Sequence, residues 1–385
     1  MNNSHLYSDF EKHVISNSER FKIKNSDLLE LKKYFNKKIV LICGAAGSIG
    51  SQFSKDFFLK NFNPKKIIFL DKDENLLTEL NRELLLLNNF NKIKKEFICS
   101  DLTSINLDEI LNKKKVQIYL NFAAIKHVRS EENIESVRYM FKTNSIKFLP
   151  KKLNNLRKIF SISTDKTVNP SSILGISKNL MEMNLNKFNR KKIFISSARF
   201  ANVAFSNGSI LKYIVDRTMQ KKPFGVPEKI KRFFLTHKEA SNLCFKSLLK
   251  RNNRKIIIPN PKVLNKDFLI SDLAKKIVKK FNYIPRFYKK GKIKNNYKKN
   301  CYIKLTPISD GQKFYEELFS KSEYVMKDLD NTIYKVDLPG FNKNISLILE
   351  RIIKIKDISK LKKYLSIHFK NYSPPSKHTN VSKTI

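Results

Sequence analysis

The stretch KKIVLICGAAGSIG, Lys37–Gly50, decides the fold. IVLIC is an unbroken apolar run, as expected of a strand covered on both faces. Glycines at 44, 47 and 50 come at once after it, and SIGSQFSKDFFLKN then starts a helix. Glycine lets the chain turn tightly and brings backbone close to a pyrophosphate. The amino end of the next helix offers free N–H groups and a positive dipole to the same anion. Gly44, Gly47, Ser48, Ile49 and Gly50 are therefore the expected phosphate-binding set of a dinucleotide. The spacing is G-x-x-G-x-x-G, and a glycine pattern alone is weak. Its place between strand and helix gives it weight.

The pattern repeats outward from that turn. Strand-like runs occupy Lys65–Asp71, Lys95–Asp101, Val116–Ala124, Leu156–Thr164 and Lys191–Phe200, with helical stretches between them. Strands alternating with helices predict an α/β, Rossmann-type, doubly wound parallel sheet. Residues 1–36 read as a helical lead-in and 37–205 as the dinucleotide-binding domain. Arg254–Asn260 is a further strand candidate, so 255–260 is a segment able to return to that sheet. Prolines at 223, 227, 259 and 261 divide the carboxy-terminal half into short elements. Residues 206–370 are thus expected to form a smaller carboxy-terminal substrate-binding lobe, and 371–385 a flexible tail.

A chain of 385 residues can bury a full core. Its four cysteines are far apart and form no C-x-x-C pair, which disfavours a disulfide framework or a zinc ribbon. No metal site is expected, and a reducing cytoplasm is the expected compartment. No apolar run reaches the roughly 18 residues of a membrane span, and MNNSHLYSDFEKHV lacks a signal pattern. The formal charge is +43. The lysines are scattered, densest at Tyr288–Asn300, and no nucleic-acid-binding motif accompanies them. Nucleic acid is therefore not an expected partner, although a positive field attracts anionic sugar nucleotides.

Asp71 ends the second strand, where an acid can bind the adenosine ribose hydroxyls and favours NAD over NADP. Lys72 comes next and is able to meet a 2′-phosphate. Asp101, ending the third strand, is placed to face the adenine. Ala123 and Ala124, in NFAAIKHV, are small enough to let cofactor or sugar approach, with Lys126 and His127 near the same edge.

Together with STDKTVNPSSILGISK (Ser163–Lys178) and ARFANVAFSNGS (Ala198–Ser209), these motifs resemble the extended short-chain dehydrogenase/reductases. Within them the chain looks like the nucleotide-sugar 4,6-dehydratases of polysaccharide biosynthesis, of the UDP-N-acetylglucosamine type. The resemblance runs from about Lys37 to about Lys335. It includes IKRFFLTHKEASNLC, DLAKKIVKKFNYIPRF and DGQKFYEELFSKSE. It implies a UDP-linked amino sugar as substrate, a tightly bound and recycled NAD or NADP, and a homo-oligomer.

That chemistry needs a base for the C4 hydroxyl, a base for the C5 proton and an acid for the leaving C6 hydroxyl. By resemblance, Asp165 donates to the C6 oxygen, Lys166 takes the C5 proton, Thr164 holds the C4 oxygen and Lys178 binds the nicotinamide ribose. Lys166 must be partly neutral to act as a base, and pairing with Asp165 opposes that. His127 reads as a substrate contact or a structural histidine. Asn144 is placed to fix backbone near the site. Arg199, Asn202, Ser209 and Arg232 are candidates for the nucleotide diphosphate, with capping the alternative for Ser209. The sequence departs from the family at Leu174, where a tyrosine is usual, and at Gln312, where glutamate is common. A 4-epimerase or reductase depends more heavily on the tyrosine. A non-catalytic binding protein would not need to retain Asp165, Lys166 and Lys178.

Overall fold

The computed structural model describes residues 7, 9–11, 20–126, 131–152, 154–188, 193–264, 267–289, 299–307, 313, 315–341 and 343–372. The chain begins with α1 (Asn25–Phe35). Alternating elements come after it: β1 (Ile39–Cys43), α2 (Ser48–Leu59), β2 (Lys66–Asp71), α3 (Glu74–Leu85), β3 (Lys94–Cys99), α4 (Leu107–Lys113), β4 (Ile118–Asn121), α5 (Ile134–Phe141), β5 (Lys158–Thr164), α6 (Ile173–Leu185) and β6 (Phe194–Phe200). These strands are parallel and ordered 3-2-1-4-5-6, the order of dinucleotide-binding sheets. All of β4 and nearly all of β1, β2, β5 and β6 are buried, which is why they read as unbroken apolar runs.

The rest of the chain alternates between a second body and this sheet. It comprises β7 (Asn202–Val203), α7 (Ile210–Met219), β8 (Phe224–Pro227), β9 (Lys231–Arg232), β10 (Phe234–Leu235), α8 (His237–Ser247), β11 (Lys255–Pro259), α9 (Pro261–Leu264), β12 (Phe268–Leu269), α10 (Ile270–Lys280), β13 (Ile284–Tyr288), β14 (Asn300–Thr306), β15 (Met326–Lys327), β16 (Ile333–Asp337), α11 (Lys343–Lys354) and α12 (Ile358–His368). β11 pairs parallel with β6, and β16 and β15 extend the same edge antiparallel. A smaller sheet, β13-β14-β8, packs with α7 and α10 around Leu211, Phe224, Ile277 and Ile303.

The apolar layers are specific. α2 and α8 meet through Phe53 and Phe245, stacked 4.1 Å apart. α5, α6, α11 and α12 share a second cluster that includes Met140, Ile176, Leu349 and Leu365. The lead-in is tied to the body by Arg20. Its guanidinium donates to Glu239 at 2.6 and 2.7 Å and to the carbonyls of Phe234 and Leu264. Among the described residues, no helix is long and apolar enough to cross a membrane.

Candidate active site

The glycine turn has the form a phosphate group needs. Gly44 has φ +68°, and a Cβ there would lie 2.4 Å from the backbone nitrogen of Ala123, so the position admits only glycine. Gly47 caps α2 without any side-chain hydrogen bond, which leaves the first amides of α2, at Ser48 and Ile49, available to an anion. Ser48 Oγ accepts the N–H of Asn207 at 2.8 Å, tying the turn to the loop before α7. Asp71 stands at the end of β2, and its Oδ2 accepts the N–H of Ala46 at 2.8 Å. Ala123 and Ala124 lie just past β4 and are part-exposed. Asp101 accepts from Thr103 and from Tyr139 of α5. Burial opposes its charge, but those bonds prevail and hold its carboxyl below the usual range. The residues present fit a dinucleotide: a close-approach turn, uncapped amides and a strand-end acid.

The second half of the site stands at the carboxyl end of β5. Asp165–Thr167 forms a short 3-10 turn held by Thr167 Oγ1 donating to the Thr164 carbonyl at 2.8 Å. α6 closes directly onto that turn. A Cβ at Gly175 would come 2.3 Å from the Lys166 carbonyl oxygen, so α6 can approach only through glycine. Lys178, one helical turn after Leu174, is buried and donates to the Ile162 carbonyl at 3.0 Å. Burial, against the weaker pull of Glu182, lowers its pKa to about 8. Asn144, in a π-helical turn at Lys142–Ile146, clamps Ile125 through both its N–H (3.0 Å) and its carbonyl (2.9 Å). This fixes the backbone leading to Lys126.

Asp165 is the centre of a charged cluster. Thr164 Oγ1 donates to its Oδ1 at 2.7 Å and Lys166 Nζ approaches the same oxygen at 3.3 Å. Glu316 completes the group from the carboxy-terminal part of the chain. Its side chain is 6% exposed and lies 3.5 Å from Lys166 Nζ and 2.9 Å from Arg232 Nε. Asn202 Nδ2 donates to its Oε2 at 2.7 Å, and Asp165 and Glu316 both approach Lys166 Nζ. Burial and then the Asp165 charge push Glu316 up to about 7. Burial opposes the Asp165 charge too, but Lys166 and Thr164 hold its carboxyl below the usual range. Lys166 stays above the usual lysine value, because Asp165 and Glu316 more than offset its desolvation. Lys126 is exposed at the rim, where partial desolvation and then the Lys166 charge lower its pKa.

Several expected ligand contacts are committed elsewhere. Arg199 is 2% exposed and pairs with Glu182 (2.6 Å) and Glu323 (2.9 Å), so it braces β6 from within rather than meeting a diphosphate. Ser209 caps α7 by accepting the Lys212 N–H. Asn202 and Arg232 face Glu316, beside the acid-base pair. Leu174 is 3% exposed and packs in the cluster of α5, α6, α11 and α12. His127 and Gln312 lie outside the described residues, as do most of the lead-in before Arg20 and residues 373–385. Glu316 was missed by sequence reasoning. It lies in an acidic pair, Glu316-Glu317, with no periodicity or spacing that separates a site residue from a surface one.

Comparison with known proteins shows the family and the fold. The capsular polysaccharide biosynthesis protein CapD of Staphylococcus aureus is 28% identical over 85% of this chain, which spans 53% of that protein's length. The uncharacterized membrane protein MJ1061 of Methanocaldococcus jannaschii is 31% identical over 87% of this chain and 97% of its own. At lower similarity stand a UDP-N-acetylglucosamine 4,6-dehydratase (inverting) of Campylobacter jejuni, 25% identical over 58% of this chain and 67% of its own, and a UDP-glucose 4-epimerase of Rickettsia bellii, 26% over 80% and 86%. The solved structure of Pen from Bacillus thuringiensis shares the fold, with TM-score 0.63 and 18% identity over 80% of this chain and 89% of that one. The model of one family, described as polysaccharide biosynthesis protein, matches residues 40–337, and this chain belongs to that family.

Proposed function

We propose that this chain is a nucleotide-sugar 4,6-dehydratase acting on UDP-N-acetylglucosamine, forming a UDP-linked 4-keto-6-deoxy sugar for glycan assembly. The observation that carries the reading is the Asp165–Lys166 pair, set on one rigid turn at the carboxyl end of β5. Elimination across C5 and C6 needs an acid and a base near the two ends of one bond, and neighbouring residues on such a turn meet that need. A nicotinamide dinucleotide, with its pyrophosphate held at the glycine turn, would supply a reversible hydride acceptor, so that the electron pair taken from C4 could be the one restored at C6.

The chain's own residues do the rest. Thr164 Oγ1 donates a hydrogen bond to Asp165 and keeps its lone pairs for one from the C4 hydroxyl, whose proton passes to Lys126, held below the usual lysine value by burial and the Lys166 charge. Transfer of one proton from Lys166 to Asp165 across their 3.3 Å contact makes Asp165 the acid that protonates the departing C6 oxygen and Lys166 the base that takes the C5 proton. Lys178 meets the ribose hydroxyls of the cofactor. Asp71 favours NAD, because its carboxylate would repel a 2′-phosphate. A homo-oligomer belongs to the same reading. Leu174 counts against a 4-epimerase, since it has no proton to exchange and is buried in an apolar cluster.

Incubation of the purified protein with UDP-N-acetylglucosamine should give a product lighter by one water in mass spectrometry. Tight cofactor binding without that product would remove this substrate, and GDP- and CDP-linked sugars then test the class. Lys166→Met should lower turnover by about 10²-fold or more with cofactor still bound; unchanged turnover would overturn the assignment of Lys166.

A further inference from the structure

We propose that Glu316 is the proton-relay residue of this site: it shares one proton with Asp165 and replaces the proton that Asp165 gives to the C6 oxygen. The inference rests on the dehydratase reading. The proton balance gives such a relay a task. Oxidation at C4 leaves the hydroxyl proton with the protein, and expulsion of the C6 hydroxyl as water takes one proton from the protein. The proton lifted from C5 is returned to C5 at the end of the cycle. In every turnover one proton is thus released at O4 and one is taken up at O6.

The geometry supplies one path. Two neighbouring buried carboxyls favour a proton shared between them, and Asp165 and Glu316 are such neighbours, both placed on one ammonium. Lys166 Nζ touches both, at 3.3 and 3.5 Å. The groups facing Glu316 are Asp165 and Lys166 from the turn after β5, Arg232 Nε from β9 at 2.9 Å and Asn202 from β7 at 2.7 Å. The charges of Lys126 and Lys166 also act on one another. Lys166 and Arg232 favour charge on the carboxyl pair, while burial and the closeness of the two carboxyls favour keeping one proton on it. Glu316 acts through Asp165 and need not touch the sugar, so it is a positioning residue for the proton. A tyrosine at position 174 would carry a proton of its own. Leu174 carries none, and the buried carboxyl pair is the alternative store.

The test uses the full-length holoprotein and the variants E316Q, E316D and D165N, each checked for folding by thermal melting. Infrared difference spectra without sugar should show a protonated carboxyl that titrates near neutral pH in the wild type and is lost in both E316Q and D165N. With UDP-N-acetylglucosamine, E316Q should lower kcat about 10²-fold and lose the near-neutral limb of the pH profile. KM should change less than about threefold, and E316D should restore the limb. A wild-type carboxyl signal unchanged in E316Q, or an active E316Q with the wild-type profile, overturns the relay alone. A wild type that dehydrates no nucleotide sugar overturns the dehydratase reading and the relay with it, whatever the infrared result.

Discussion

At the scale of single residues, the site depends on burial working against charge. Lys178 illustrates the sign. Its pKa is near 8 in the folded protein, below the ordinary value of 10.5. Between those pH values the unfolded chain binds more protons at this position than the folded one. Its contribution to stability therefore rises as pH increases from about 8 to about 10. Urea unfolding of the wild type and of Lys178→Met, compared at both ends of the window, should show the wild type gaining on the variant as pH rises. A constant difference would mean that the buried ammonium is not depressed. Arg199 shows the opposite outcome of burial. Glu182 and Glu323 keep it charged inside the fold, where it is a brace and not a ligand.

At the scale of elements, catalytic geometry is set by how closely α6 approaches the end of β5. Ser172 caps α6, and Glu131 accepts the otherwise free N–H groups of Ile173 and Leu174 at 3.0 and 2.9 Å. Gly175 then brings the helix against Lys166. Gly175→Ala adds helix propensity but places a methyl group inside the Lys166 carbonyl, so the turn bearing Asp165 must move. Displacement by about 1 Å costs on the order of 10²-fold in rate. The expected result is a large fall in kcat with cofactor affinity retained. A variant with wild-type kcat would show that the turn tolerates the displacement.

At the scale of the whole molecule, segments distant in sequence converge on the sheet. Glu316 enters the site from a segment just before β15, and β16 returns to the sheet edge. The lead-in adds Phe10 to the core of the smaller body and Arg20 to Glu239. Glu239 is 1% exposed, so Arg20→Ala leaves a carboxylate buried without its cation. Breaking such a pair costs about 3 kcal/mol, to be read from urea unfolding, with turnover preserved in the fraction that remains folded. A loss below about 0.5 kcal/mol would mean that the lead-in does not brace the fold.

The sequence by itself determined the parallel sheet, the glycine turn and the placement of Asp165 and Lys166 at a strand end, with Lys178 on the helix that comes after it. Those features are local: an apolar run, a turn and a helix start within a few residues of one another. The tertiary structure alone decided which charged residues share a site. Arg199, a single charge in ARFANV, and Glu316, one of an acidic pair, carry no local pattern that tells a site residue from a structural one. Arg199 is drawn into the core by two glutamates from other elements, while Glu316 meets Asp165 from about 150 residues away. Leu174 belongs to the same class, because its neighbours in α11 and α12 lie beyond residue 340. Desolvation and pairing depend on neighbours brought together only by folding, and no periodicity along the chain encodes them.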